Sequence, residues 1–374
     1  MSKIDPNPLF TPLQLGPLAL AHRIVLPPLT RMRAGPAGVP TPAARTYYAQ
    51  RACAPGTLLI TEGTFISADA GGYAGVPGVW DDEMVGAWKE VADAVHAKGS
   101  YVFMQLWALG RAADPTVLAA EGHALVGPSA VPLEGFPVPR ALTSDEIRAY
   151  IRQYAEAAGR AVEEAGCDGV EVHAANGYLL DQFLHDTANA RDDEWGGGVE
   201  GRIRFAWEVV KAVVERVGEE RVGVRVSPWS RFQGMRMEDP LPTFLALVDK
   251  IKAAYPGFAY LHVVEPRIAG SEDDAMVPAA GSVETNDALR AAWAPGVVIS
   301  TGGYDVARAA EAVRQHGGLI GMGRAFIANP DLVHRLRAGL ALNEYDRTTF
   351  MTVGDKGYTD YAFADAAGNV SGEW

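Results

Sequence analysis

Thr143-Ser144-Asp145-Glu146, continued by Ile147, Tyr150, Ile151, Tyr154 and Ala158, then by Gly166 and the run Gly169-Val170-Glu171-Val172, is the stretch that decides the architecture. Thr143 with Glu146 three residues later reads as a capping box, the apolar residues recur at helical spacing, and Gly166 is a stop. The short β-branched run that follows reads as a buried strand. A helix delivered straight to such a strand is half of a βαβ unit, and repeated units of this kind build parallel sheets.

Seven more runs of the same character lie at residues 23–26, 57–60, 101–104, 222–226, 260–264, 297–300 and 318–321. Helical spacing fills most of the intervals, notably 84–98, 203–217 before Gly218, and 244–254. Eight strands alternating with helices predict an α/β chain folded as a closed (β/α)8 TIM barrel, one domain over residues 1–374; an open doubly wound sheet of similar strand count is the alternative. Phe10 to Leu20, with Gly16-Pro17 between two apolar runs, reads as an N-terminal hairpin capping the far end of the barrel. The Gly- and Pro-rich segment from Trp107 to Leu142 and the acidic one from Glu265 to Asn286 read as long loops over the active-site mouth.

Composition narrows the function. The chain is 48% hydrophobic and 21% charged, enough apolar material for a large core, and its net charge of -13 disfavours nucleic-acid binding. Cys53 and Cys167 offer no disulfide framework and no zinc spacing, which fits a reducing, cytoplasmic setting. No apolar run approaches the ~18 residues of a membrane span, and the N-terminal residues do not read as a secretory leader.

Active sites of (β/α)8 barrels lie at the carboxyl ends of the strands. The groups found there are Pro28-Leu29-Thr30, Glu62-Gly63, Gln105-Leu106-Trp107, His173 to Tyr178, Arg225, Thr301-Gly302-Gly303 and Gly323-Arg324. Either glycine loop alone is equally an ordinary tight turn, but both together with Arg324 favour a phosphate site. His173 and Asn176, three apart, can donate two hydrogen bonds to one carbonyl oxygen, and Tyr178 can deliver a proton beside them. Each alone would be a satisfied structural side chain; their joint position at a strand end argues for a site. Gly196-Gly197-Gly198-Val199-Glu200-Gly201 matches a dinucleotide fingerprint but follows Asp192-Asp193-Glu194-Trp195 and no strand, so it reads as a surface turn. His185-Asp186 and Glu272-Asp273-Asp274 lack a metal-binding spacing and read as solvated or capping residues, so no metal is expected.

Arg23-Ile24-Val25-Leu26-Pro27-Pro28-Leu29-Thr30, Gln105-Leu106-Trp107, the segment His173 to Leu184 and the segment Gly323 to Leu332 together resemble the Old Yellow Enzyme family, over nearly the whole chain. Thr30, where another branch carries Cys, is similar to the classical branch. The resemblance implies noncovalent FMN across the barrel mouth, held by Pro28, Leu29, Thr30, Gly63, Gln105, Arg225, Gly302, Gly303, Gly323 and Arg324. It implies a substrate site of His173, Asn176, Tyr178, Trp107 and Met351, with His173, Asn176 and Tyr178 as the catalytic residues.

The implied reaction has two halves sharing one site. NAD(P)H, with NADPH favoured, reduces the flavin and leaves; then a small α,β-unsaturated carbonyl compound takes hydride from flavin N5 and a proton from Tyr178. A monomer or homodimer is expected. Two departures stand out: Phe350-Met351 where many relatives place a Tyr, and Gly201 where Asn is usual. The alternatives are a flavin-dependent isomerase of a conjugated substrate, a flavin-free barrel enzyme acting on a phosphorylated metabolite, and a noncatalytic flavin-binding protein.

Overall fold

The computed structural model describes residues 7–268, 284–364 and 370–371. Eight parallel strands, β1 (Ile24–Leu26), β2 (Leu58–Ile60), β3 (Tyr101–Trp107), β4 (Gly169–Ala174), β5 (Val222–Val226), β6 (Tyr260–Val264), β7 (Val298–Thr301) and β8 (Leu319–Gly321), pair in sequence order, and β8 pairs with β1 to close the barrel. Each of the eight predicted runs forms one of these strands, and the open-sheet alternative falls on the β8–β1 pairing.

Period-2 alternation explains how the strands bury both faces. On β4, Val170, Val172 and Ala174 join the outer cluster under the helices, and on β5 Val222, Val224 and Val226 do the same. The alternate positions line the interior. At the amino end these are apolar: Val25, Leu58, Ile60, Phe103, Tyr260, Ile299 and Leu319 cluster with Leu15, Leu18 and Leu20. Those three leucines belong to an antiparallel hairpin, Leu13–Leu15 with Leu18–Leu20, which seals this end as expected. Small residues make room for large ones: a Cβ on Gly169 would lie 2.5 Å from Phe103 Cζ, and one on Gly223 would lie 2.3 Å from the Tyr260 ring. At the carboxyl end the interior ladder turns polar.

The helix Ser144–Gly159 carries the reciprocal Thr143–Glu146 cap and continues in wider turns over Arg160–Glu164 before the chain reaches β4. The triglycine segment is a turn, with Gly198 capping the helix Val199–Val217. The loop after β3 is more ordered than its composition suggests. It holds a short helix, Pro115–Ala120, started by Asp114 accepting from the Thr116 backbone N–H at 2.8 Å, and a two-residue pairing of Val126–Gly127 with Arg140–Ala141. Most of the acidic loop after β6, including Glu272-Asp273-Asp274, lies outside the described residues. His185 is not at the surface: it is buried and pairs with buried Asp181 at 3.2 Å.

Candidate active site

At the carboxyl end of the barrel a cavity of about 320 Å³ is lined by Pro28, Leu29, Thr30, Gln105, Trp107, His173, Asn176, Tyr178, Arg225, Gly302, Gly303, Gly323, Arg324 and Met351. Gly63 stands behind this lining. A Cβ there would lie 2.4 Å from Trp107 Cε3, so Gly63 supplies the space against which the Trp107 indole packs. Phe350, noted above beside Met351, also lines the cavity, as do Phe232, Val264, Ile268, Tyr304 and Met322, which the sequence does not mark. Val264 ends β6 and the others stand on the loops and short turns beyond the strands; all are apolar or aromatic, and nothing in local spacing separates them from core residues.

The turn after β4 is fixed by side chains from the helix that follows it, Leu179–Leu184. Asp181 accepts from the Gly177 backbone N–H at 2.8 Å, and Gln182 donates to the carbonyls of Gly177 at 2.8 Å and Leu109 at 2.9 Å. Asn176 adopts a left-handed conformation, φ 58°, which asparagine tolerates better than most residues. Its N–H donates to Ser227 Oγ at 2.7 Å and its carbonyl accepts from Gln233 Nε2 at 3.1 Å, pinning the turn to the loop after β5.

His173 Nδ1 accepts from the Ala175 backbone N–H at 3.3 Å, which leaves the ring proton on Nε2. Burial, then the charges of Arg225 and His262, hold this imidazole well below its ordinary pKa, so it is a neutral donor. Tyr178 meets the Trp107 indole edge-on at 4.6 Å and the His173 ring at 5.2 Å. Burial and neighbouring Tyr73 push its phenol up, so it keeps its proton. Tyr73 donates its own hydroxyl proton to the Ala112 carbonyl at 2.7 Å.

Two features fit a flavin phosphate and ring. Gly302 at φ 127° and Gly303 at φ 62° form a turn that a side chain would strain, and a Cβ on Gly323 would lie 2.8 Å from Leu29 Cδ2. Arg324 stands beside them with its guanidinium over the Tyr345 ring at 5.6 Å. Deeper in the cavity, Arg225 has a buried Nε with no hydrogen-bond partner among the described residues, a donor that an acceptor in the cavity would satisfy.

A tail segment roofs the cavity with Phe350 and Met351, and three buried arginines from near the start of the chain hold it. Arg31 donates to the carbonyls of Phe350 at 2.9 Å and Gly357 at 2.7 Å. Arg33 donates to the carbonyls of Thr349 at 2.9 Å, Gly354 at 2.7 Å and Lys356 at 2.9 Å. Arg51 reaches the Tyr358 carbonyl at 3.3 Å, and Arg31 and Arg33 also lie over the Tyr358 ring. Among the described residues no group of His, Cys, Asp and Glu is placed to hold a metal ion, and no helix is long and apolar enough to cross a membrane.

Comparison with known proteins agrees with this geometry. The chain is 54% identical to chanoclavine-I aldehyde reductase of Penicillium roqueforti over 95% of its own length and 96% of that protein's. It is 46% identical to a probable inactive reductase of Epichloe festucae var. lolii, covering 96% of this chain and 95% of that one. Among solved structures, morphinone reductase superposes with a TM-score of 0.88 at 40% identity, covering 97% of this chain and 98% of that chain. The pattern of the NADH:flavin oxidoreductase / NADH oxidase family matches residues 8–343. With the closed barrel, the glycine corner and the His173–Asn176–Tyr178 turn in place, the chain belongs to that family, the Old Yellow Enzyme family.

Proposed function

We propose that the chain is an FMN-dependent ene-reductase that draws on a nicotinamide, NADPH in preference to NADH, and reduces the C=C bond of an α,β-unsaturated aldehyde or ketone. The observation that carries this reading is the convergence of the neutral His173 donor, Asn176 and the protonated Tyr178 phenol on the cavity that also receives Arg225 and the glycine corner. Aldehyde reductases and morphinone reductase among the similar proteins agree with a carbonyl-bearing small molecule. The probable inactive relative shows why the site residues, and not membership of the family, must carry the claim.

Bound FMN, recharged by the nicotinamide, supplies hydride to the alkene. Gly302, Gly303, Gly323 and Arg324 would hold its phosphate, Pro28, Leu29, Thr30 and Gln105 its ring, and Arg225 the side that gains negative charge. His173 Nε2–H and Asn176 hold the carbonyl oxygen. As hydride adds at the β-carbon, charge gathers on that oxygen, so the two donors stabilise the transition state more than the ground state. Tyr178 gives its hydroxyl proton to the α-carbon. Trp107 and Met351 shape the space around the substrate.

The test separates the two halves. Purified protein should be yellow and release FMN on denaturation. In stopped-flow absorbance, Tyr178→Phe should leave reduction by NADPH near normal but slow reoxidation by a cyclic enone by ~10²-fold or more. Equal losses in both halves, or none with the enone, would refute the role of Tyr178.

A further inference from the structure

Beneath the cavity lies a buried polar chain in which the mechanism uses Gln105 but leaves Glu171, His262 and Thr301 without a role. Glu171 on β4 has no exposed surface, and both its oxygens are engaged: Oε1 accepts from Gln105 Nε2 at 2.8 Å, and Oε2 meets His262 Nδ1 at 2.7 Å. His262 Nε2 lies 3.0 Å from Thr301 Oγ1. Strand register makes the contacts, since Gln105 is opposite Glu171 and Arg225 is opposite His262.

We propose that Glu171 is a positioning residue for the cofactor: it fixes which atom of the Gln105 amide faces the cavity, and its charge offsets Arg225, thereby setting how much more tightly reduced than oxidised FMN is held. This rests on the flavin placement proposed above. An ionised carboxylate accepts and never donates, so it settles an otherwise ambiguous amide: Nε2 points down to Glu171 and Oε1 is presented to the cavity, an acceptor suited to a ring N–H. Were Glu171 neutral or an amide, Gln105 could turn over.

The second effect is electrostatic. Burial pushes the Glu171 carboxyl up, but His262, Arg225 and Gln105 together more than reverse that and keep it ionised. Its negative charge therefore cancels part of the field that Arg225 directs at the cavity. Removing that charge would strengthen the pull of Arg225 on an anionic reduced ring and leave a neutral oxidised ring little affected.

Holoprotein midpoint potentials against a reference dye, with FMN dissociation followed by fluorescence on dilution, test both effects. Glu171→Gln should raise the ratio of reduced to oxidised affinity about tenfold, which for a two-electron couple is a rise of about 30 mV. Its weakening of oxidised FMN should not add to that of Gln105→Leu, because both act through one amide. An unchanged potential, or simple additivity, would overturn the proposal, since a merely structural role would loosen both redox forms equally.

If Glu171→Gln does not fold, His262→Leu, which strips a donor from the carboxylate, should raise the potential, and His262→Gln, which restores an N–H, should not; the reverse order overturns the idea. Wild-type protein that retains no FMN would instead overturn the cofactor placement. Protein that retains FMN, and loses it in Arg324→Ala, while Glu171→Gln leaves the potential unmoved, would overturn this inference alone.

Discussion

On the floor of the cavity, Gln105, His173 and Arg225 stand on strands whose register fixes them, and their neighbours hold them by side chain: Glu171 for Gln105, and the pinned turn for His173 and Asn176. On the roof, Phe350 and Met351 stand on a tail gripped through its carbonyls by Arg31, Arg33 and Arg51. A carbonyl is the same on every residue, so apart from Thr352, whose hydroxyl accepts from Arg33, and Tyr358, whose ring lies under Arg31 and Arg33, the grip does not read the tail's side chains; it holds Phe350 and Met351 through the backbone alone, and Met351 is 50% exposed. The floor is built for one chemistry. The roof is built to be present, with its side chains left open to change.

The largest effect expected of this contrast is on the floor. Small phenols should bind the oxidised protein as phenolates and give a long-wavelength charge-transfer band, because His173 and Asn176 offer two donors to one anionic oxygen. His173→Ala with Asn176→Ala should weaken that binding by ~10²-fold or more, at about 1.5–3 kcal/mol for each hydrogen bond to a charged group. A band and affinity that survive the double change would remove the pair from the carbonyl site.

A change in the grip comes next. Arg33→Ala withdraws donors from several tail carbonyls at once, so limited proteolysis within residues 345–358 should speed up by ~10-fold, while FMN is retained. Loss of flavin in parallel with the tail would mean that roof and floor are one cooperative unit.

Smallest is the effect of a roof side chain. Met351→Tyr should shift relative kcat/KM between a bulky and a slender enone by a few-fold, roughly the 1 kcal/mol that one contact in a pocket supplies, with FMN affinity unchanged. Identical profiles would place Met351 outside the substrate's reach.

The same contrast decides what was legible in the sequence. Strand ends betray themselves, because a polar residue after a β-branched run is an anomaly that a barrel explains; His173, Arg225 and the Gly302-Gly303 turn stand out in that way. Glu171 and His262 carry a weaker form of that signal, since each is an ionisable side chain inside an apolar run on the alternating inward face. The arginine grip left none. Its partners are mostly backbone atoms 307 to 326 positions away, and an arginine after a strand reads as surface until the tail is seen to lie on it. Only the family resemblance marks Met351, since physically it is one more flexible apolar residue on a loop.

The leucine hairpin at the other end of the barrel has a consequence for kinetics. With Leu15, Leu18 and Leu20 packed into the interior ring of Phe103, Tyr260 and Ile299, that end of the barrel is filled by side chains among the described residues, which leaves the mouth as the way in and out. In the proposed reaction, electron donor and electron acceptor then share one opening. If both occupy the cavity as proposed, each excludes the other: an acceptor in excess should slow turnover by standing where the nicotinamide docks, and throughput should depend on the balance of the two concentrations as much as on either alone.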